Sequence, residues 1–91
     1  MLATPILFLV FNRLDTVKRV FGEIRAQQPR SLYIAADGPR PQKGEAERQA
    51  CAEVRDWVTS EVDWDCDVHT LFRDSNLGCG RAVADAITWF F

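Results

Sequence analysis

The stretch Pro5 to Phe11, Pro-Ile-Leu-Phe-Leu-Val-Phe, constrains the fold more than any other part of this 91-residue chain. It is an uncharged run of strand length, bounded by a proline before it and by Asn12-Arg13 after it, and it reads as a fully buried strand. A strand apolar on both faces has to be covered on both, which calls for helices above and below a parallel sheet. Open α/β sheets bind their ligands beyond the carboxyl ends of the strands, so a site is expected just past Phe11.

The remaining sequence supplies the expected alternation. Val17, Val20, Phe21 and Ile24 follow the spacing of one helix face, which places a helix from about Asp15, as N-cap, to Gln27. Gln28-Pro29 stops it, and Leu32 to Ala36 is a second short apolar run ending in the turn Asp37-Gly38-Pro39. The loop continues through Arg40-Pro41-Gln42-Lys43-Gly44 and is expected to be exposed and stiff. From Glu45 a helical period returns, with Ala46, Ala50, Cys51, Val54, Trp57 and Val58 on the inner face and Glu45, Glu47, Arg48, Glu53 and Arg55 turned toward water. Asp67 to Arg73 alternates as a third strand, less apolar on one face and therefore nearer an edge. After Asp74-Ser75-Asn76-Leu77-Gly78, the residues Cys79, Ala82, Val83, Ala86, Ile87 and Phe90 mark a third amphipathic helix. The order β-α-β-α-β-α, with right-handed crossovers, gives a Rossmann-like three-layer αβα arrangement around a three-stranded parallel sheet.

Length allows one domain over residues 1–91, with about 60 to 65% of the unfolded chain's surface buried. A formal charge of −2 disfavours nucleic acid or an acidic membrane as the main partner. Met1 to Thr4 has no basic leader, and the apolar run behind it is too short for a signal peptide or a membrane span, so the expected compartment is the cytoplasm. Cys51, Cys66 and Cys79 form no Cys-x-x-Cys pair, which points to free thiols. Cys66 and His69 would point to opposite faces of a strand, an arrangement unsuited to one metal. The closing Trp89-Phe90-Phe91, an aromatic run with no helix stop signal, reads as the middle of a longer domain.

The first turn, Phe11-Asn12-Arg13-Leu14-Asp15, has no glycine. This disfavours the Gly-rich dinucleotide turn and the phosphate-binding loop of nucleotide hydrolases. What gathers at the carboxyl edge instead is Asn12 and Arg13 after the first strand, Asp37 and Arg40 after the second, and Arg73, Asn76 and Arg81 after the third. Arginines neutralise a diphosphate, the N–H groups from Gly78 to Arg81 add donors, and a carboxylate can accept from a base N–H, so the mixture suits a nucleotide. The competing reading of the same residues is that Asp37 orders its own turn and the arginines are solvated.

Three segments carry a resemblance. Pro-Ile-Leu-Phe-Leu-Val-Phe-Asn-Arg at 5–13, Tyr-Ile-Ala-Ala-Asp-Gly-Pro-Arg at 33–40 and Leu-Phe-Arg-Asp-Ser-Asn-Leu-Gly-Cys-Gly-Arg-Ala at 71–82 together resemble the amino-terminal half of GT-A-type glycosyltransferases. The likeness is to a bacterial branch of the nucleotide-diphospho-sugar transferases. Its most specific part is Arg73-x-x-Asn76-x-Gly78-x-x-x-Ala82. The resemblance implies that Phe11, Asn12 and Arg13 touch base and ribose, that Asp37 accepts from a uracil-type ring N–H, and that Arg73, Asn76 and Arg81 approach ribose and diphosphate of a donor such as a UDP-sugar.

It also implies a divalent cation, Mg or Mn, in the parent enzyme, held by an Asp-x-Asp-like cluster on the next strand and acting as a Lewis acid on the leaving group. That strand lies beyond these 91 residues, so the chain alone is expected to be inactive. Two other readings stand beside this one. A noncatalytic α/β interaction or nucleotide-binding module is separated from it by nucleotide titration. A flavodoxin-like receiver or carrier would carry acids where this chain has Asn12-Arg13. If the strand order is 3-2-1, the uncharged first strand has a free edge and the chain is expected to self-associate through it.

Overall fold

The computed structural model describes residues 2–91; Met1, at the head of the segment read for a leader, lies outside them. Strands β1 (Ile6–Val10), β2 (Ser31–Ala36) and β3 (Asp67–Phe72) form one parallel sheet in the order β1-β2-β3, with Ile6 opposite Leu32 and Ser31 opposite Asp67 at the starts of the two ladders. Helices α1 (Leu14–Gln27), α2 (Gly44–Ser60) and α3 (Cys79–Phe90) follow the three strands in turn, and a single 3-10 turn, Pro41–Lys43, precedes α2. The chain is thus an α/β unit built on a parallel three-stranded sheet. Among the described residues no helix is long and apolar enough to cross a membrane.

The sheet's two faces are filled differently. Phe8, Val10, Leu32, Ile34 and Ala36 share one face, since strand side chains alternate, and Val17, Phe21 and Ile24 of α1 close over them together with Val54 and Val58 of α2. Phe21, 1% exposed, is gripped edge-on by Trp57 with ring centroids 5.3 Å apart, and Trp64 lies beside it while its indole N–H donates to the Pro29 carbonyl at 2.8 Å. On the opposite face Tyr33 meets Trp89 and Phe90 of α3 and stacks on His69. Cys66 packs against the α1/α2 side while His69 sits on the other, as the alternation requires.

Several boundaries and faces differ from expectation. The first strand is not buried on both faces: Phe8 and Val10 are enclosed, but Leu9 is 44% exposed, because β1 is an edge strand and α3 covers that face only in part. Helix α1 begins at Leu14, with Arg13 at the cap, so Asp15 lies inside the first turn, where its charge favours the helix N-terminus, and it does not cap it. Val20 faces outward, leaving Val17, Phe21 and Ile24 as the buried stripe. The third strand ends at Phe72, one residue short of Arg73. In α2 Ala46 is exposed and Glu47 is buried, the reverse of their expected places. The loop after β2 is exposed only from Pro41 onward, while Gly38 is buried and Arg40 half-buried.

Candidate functional site

Two carboxylates knit together the three loops at the carboxyl edge. Asp37 follows β2, and its Oδ1 accepts the N–H groups of Gly38 (2.8 Å) and Leu77 (2.9 Å) while Oδ2 accepts that of Gly78 (3.2 Å). Asn76 ties the same two loops from the other side, donating to the Gly38 carbonyl at 2.7 Å and accepting from Gly78 N–H at 3.0 Å. The loops can approach this closely only because residue 38 is glycine: a Cβ there would lie 2.6 Å from the Ser75 carbonyl oxygen. Gly78 enters α3 at φ +87, a left-handed backbone that favours glycine, and this aims its N–H at Asp37.

The second carboxylate is Glu47, in the first turn of α2 and 7% exposed. Its Oε1 accepts from Asn12 Nδ2 (3.0 Å) and Arg40 Nη2 (2.6 Å), and its Oε2 accepts from the Arg40 backbone N–H (2.7 Å) and Nε (3.0 Å). The hydrogen bonds and charge of Arg40 hold this carboxyl at about 2, below the ordinary value near 4.5, and they push the Arg40 guanidinium up in return. A third link comes from Arg55, whose Nη2 donates to the carbonyls of Asp37 (3.1 Å) and Arg73 (2.7 Å) while its guanidinium lies over Phe72.

Between these knots and α3 opens a cleft of about 480 Å3. Leu9, Ala35, Leu71, Ala82 and Val83 make its apolar walls, and Asp37, Arg40, Arg73 and Asn76 bring polar groups to it. Phe11 lines it under the Arg40 guanidinium, 5.7 Å from ring centre to the guanidinium carbon. Arg73 is half-exposed and its only acidic partner among the described residues, Asp85, stands 3.7 Å away. An apolar cleft with a few convergent polar groups, at the carboxyl end of a parallel sheet, has the form and the place of a small-molecule site.

Of the residues expected at a site, Phe11, Asp37, Arg73 and Asn76 line this cleft together. Asn12 is turned aside to Glu47, Arg13 is exposed at the start of α1, and Arg81 is exposed on the first turn of α3; none of these three is in the lining. The Gly78 N–H, counted among the free donors, is taken by Asp37 and Asn76. Glu47 was missed although its signal is present. It lies four residues before Cys51 and seven before Val54, on the stripe that α2 buries, where an acid needs a charged partner. Arg55, four residues after Cys51, flanks the same stripe and is half-buried, not turned to water.

Among the described residues no three His, Cys, Asp or Glu side chains converge as a metal would need. The acids of Asp63-Trp64-Asp65 lie before β3, at the amino edge, with Asp63 beside Arg25 at 3.6 Å, so they do not meet the cleft. The described residues therefore do not fit a divalent cation. All three cysteines are free, and burial pushes the Cys51 and Cys66 thiols up. No family model, curated protein or solved structure matches this chain.

Proposed function

We propose that this chain is the nucleotide-diphosphate-sugar-binding part of a glycosyltransferase that transfers a sugar to an acceptor. The observation that carries the reading is the cleft at the carboxyl ends of β1, β2 and β3, lined by Phe11, Asp37, Arg40, Arg73 and Asn76. The Phe11 ring and the Arg40 guanidinium offer flat surfaces to a base. Oδ2 of Asp37 has a single partner at 3.2 Å, which leaves it a lone pair for a ring N–H. Arg73, loosely paired, can exchange Asp85 for the shorter and stronger hydrogen bonds of a diphosphate. The chemistry of transfer would need further acids beside Asp37 that these residues do not bring to the cleft, so binding is the activity proposed for them.

Thermal-shift titration tests the reading. With UDP at a hundred times its Kd the chain gains about 2.7 kcal/mol of stability, and the gain falls off for nucleoside diphosphates whose base does not suit the site. No shift with any nucleoside diphosphate would overturn it. That outcome would favour the second reading, a noncatalytic α/β interaction module, to which the three N–H partners of Asp37 already lend a purely structural role.

A further inference from the structure

Arg40 stands in the cleft as a cation, yet its charge is already answered. Glu47 reaches it from α2 with both carboxylate oxygens, taking Nε, Nη2 and the backbone N–H, and the side chain so held lies over Phe11. Arg73, the other lining arginine, has among the described residues only the 3.7 Å contact with half-exposed Asp85 as an acidic partner. The two arginines of one cleft are therefore different in kind: one presents a neutralised, immobile plane, the other an available charge.

We propose that Glu47 is a specificity-setting, positioning residue of the cleft. By neutralising and fixing Arg40 against Phe11 it reserves that end for an uncharged planar ring and leaves anion binding to the Arg73 end. This rests on the nucleotide-binding reading above and adds to it a residue that need not touch the ligand. A buried carboxylate with both oxygens engaged holds its half-buried partner in one geometry, and a planar guanidinium clamped at two nitrogens cannot swing to meet a phosphate. Glu47 also holds Asn12 at 3.0 Å, so the loop after β1, which carries Phe11, is fixed by the same carboxylate.

The consequence has opposite signs for two halves of a nucleotide. In Glu47→Gln the Arg40 charge is released into the cleft, and the Phe11 shelf loses its fixed cover. Isothermal titration with uridine and with inorganic pyrophosphate separates the two effects. The variant is expected to bind uridine about tenfold more weakly and pyrophosphate severalfold more tightly than the wild type, a crossover that a merely structural role would not produce. Adding Arg40→Met to Glu47→Gln is expected to abolish the pyrophosphate gain. Glu45→Gln, an exposed acid on the same turn, serves as the control and is expected to change neither. Should Glu47→Gln not fold, Glu47→Asp, whose shorter arm cannot hold both guanidinium nitrogens, is expected to move both affinities in the same directions by less. Parallel loss of both ligands, or no change in either, would overturn the proposal. If the wild type binds neither uridine nor UDP, the nucleotide reading falls by itself. Glu47 is then judged on pyrophosphate alone: a gain in Glu47→Gln upholds it as the counter-charge of Arg40, and no gain ends it.

Discussion

The two faces of the sheet come from the same three strands and yet do different things. Under α1 and α2 the side chains of Phe8, Ile34, Val54 and Val58 interlock with Phe21 and are all buried, and it is toward the β3 edge, at Val68, that this face meets solvent. Under α3 the same strands show Leu9 to solvent, and Ile87 of the helix itself is 45% exposed. The first face is a core. The second is a half-closed jaw whose open end is the cleft. Apolar surface that is fully covered stabilises the fold, whereas apolar surface that is covered in part remains free to be covered by something else.

The largest expected effect tests the closed face. Phe21→Ala should destabilise the chain by about 3–5 kcal/mol in urea denaturation, as deletion of a buried aromatic ring does, while Leu9→Ala on the open face should stay below about 1 kcal/mol. Similar losses for both would erase the distinction. Next comes Gly38→Ala, which forces a methyl into the Ser75 backbone and is expected to cost about 1–3 kcal/mol through overpacking, with the two loops pushed apart and UDP binding lost. Crystallography or amide chemical shifts of Leu77 and Gly78 would report the displacement. Asp37→Ala should weaken UDP binding by about 1–3 kcal/mol by leaving a ligand donor unpaired. A folded variant with an unchanged titration would return Asp37 to ordering its turn.

Glu47 sharpens the comparison through pH. Its carboxyl is held at about 2 in the folded chain against an ordinary value near 4.5, so its charged form is favoured by folding. That contribution is present above about pH 4.5 and is lost as pH falls toward 2. The stability difference between wild type and Glu47→Gln should therefore be flat at neutral pH and shrink across that window in acid denaturation series. A difference that did not depend on pH would mean that packing, not charge, holds Arg40. The smallest effect concerns the open side of β1, which has β2 as its one neighbour in the sheet. Its uncharged edge is expected to let two copies pair about a two-fold axis at high micromolar concentration, and Leu9→Lys should abolish this in light scattering. A wild-type monomer throughout that range would count against it.

Much of this was legible in the residues. Turn chemistry at Pro29 and Gly38, and the apolar spacing from Val17 to Ile24 and from Cys79 to Phe90, placed every strand and helix to within a residue or two. The carboxyl edge was legible too, because strand ends dictate it. What composition cannot express is coverage: Leu7 and Leu9 look alike in a string, and only the position of α3 makes one less exposed than the other. Glu47 escaped for a related reason. Alanines at 46 and 50 drew the inner face of α2 toward themselves, although the stripe through Cys51, Val54 and Val58 runs back to an acid. The partner that makes its burial tolerable, Arg40, is supplied by a loop, and loops carry no period from which to infer it.

The order β1-β2-β3 also bears on how this chain reaches its native state. Neither ladder joins neighbouring segments: each strand pairs with another only after a whole helix has been closed between them. Loop entropy is thus lost before any pairing rewards it, the circumstance that slows parallel sheets. Strand β2 alone belongs to both ladders, and its Leu32 and Ile34 are fully enclosed. It is therefore the natural nucleus, and truncating Ile34 should slow refolding, whereas truncating Val68 on β3 should chiefly hasten unfolding.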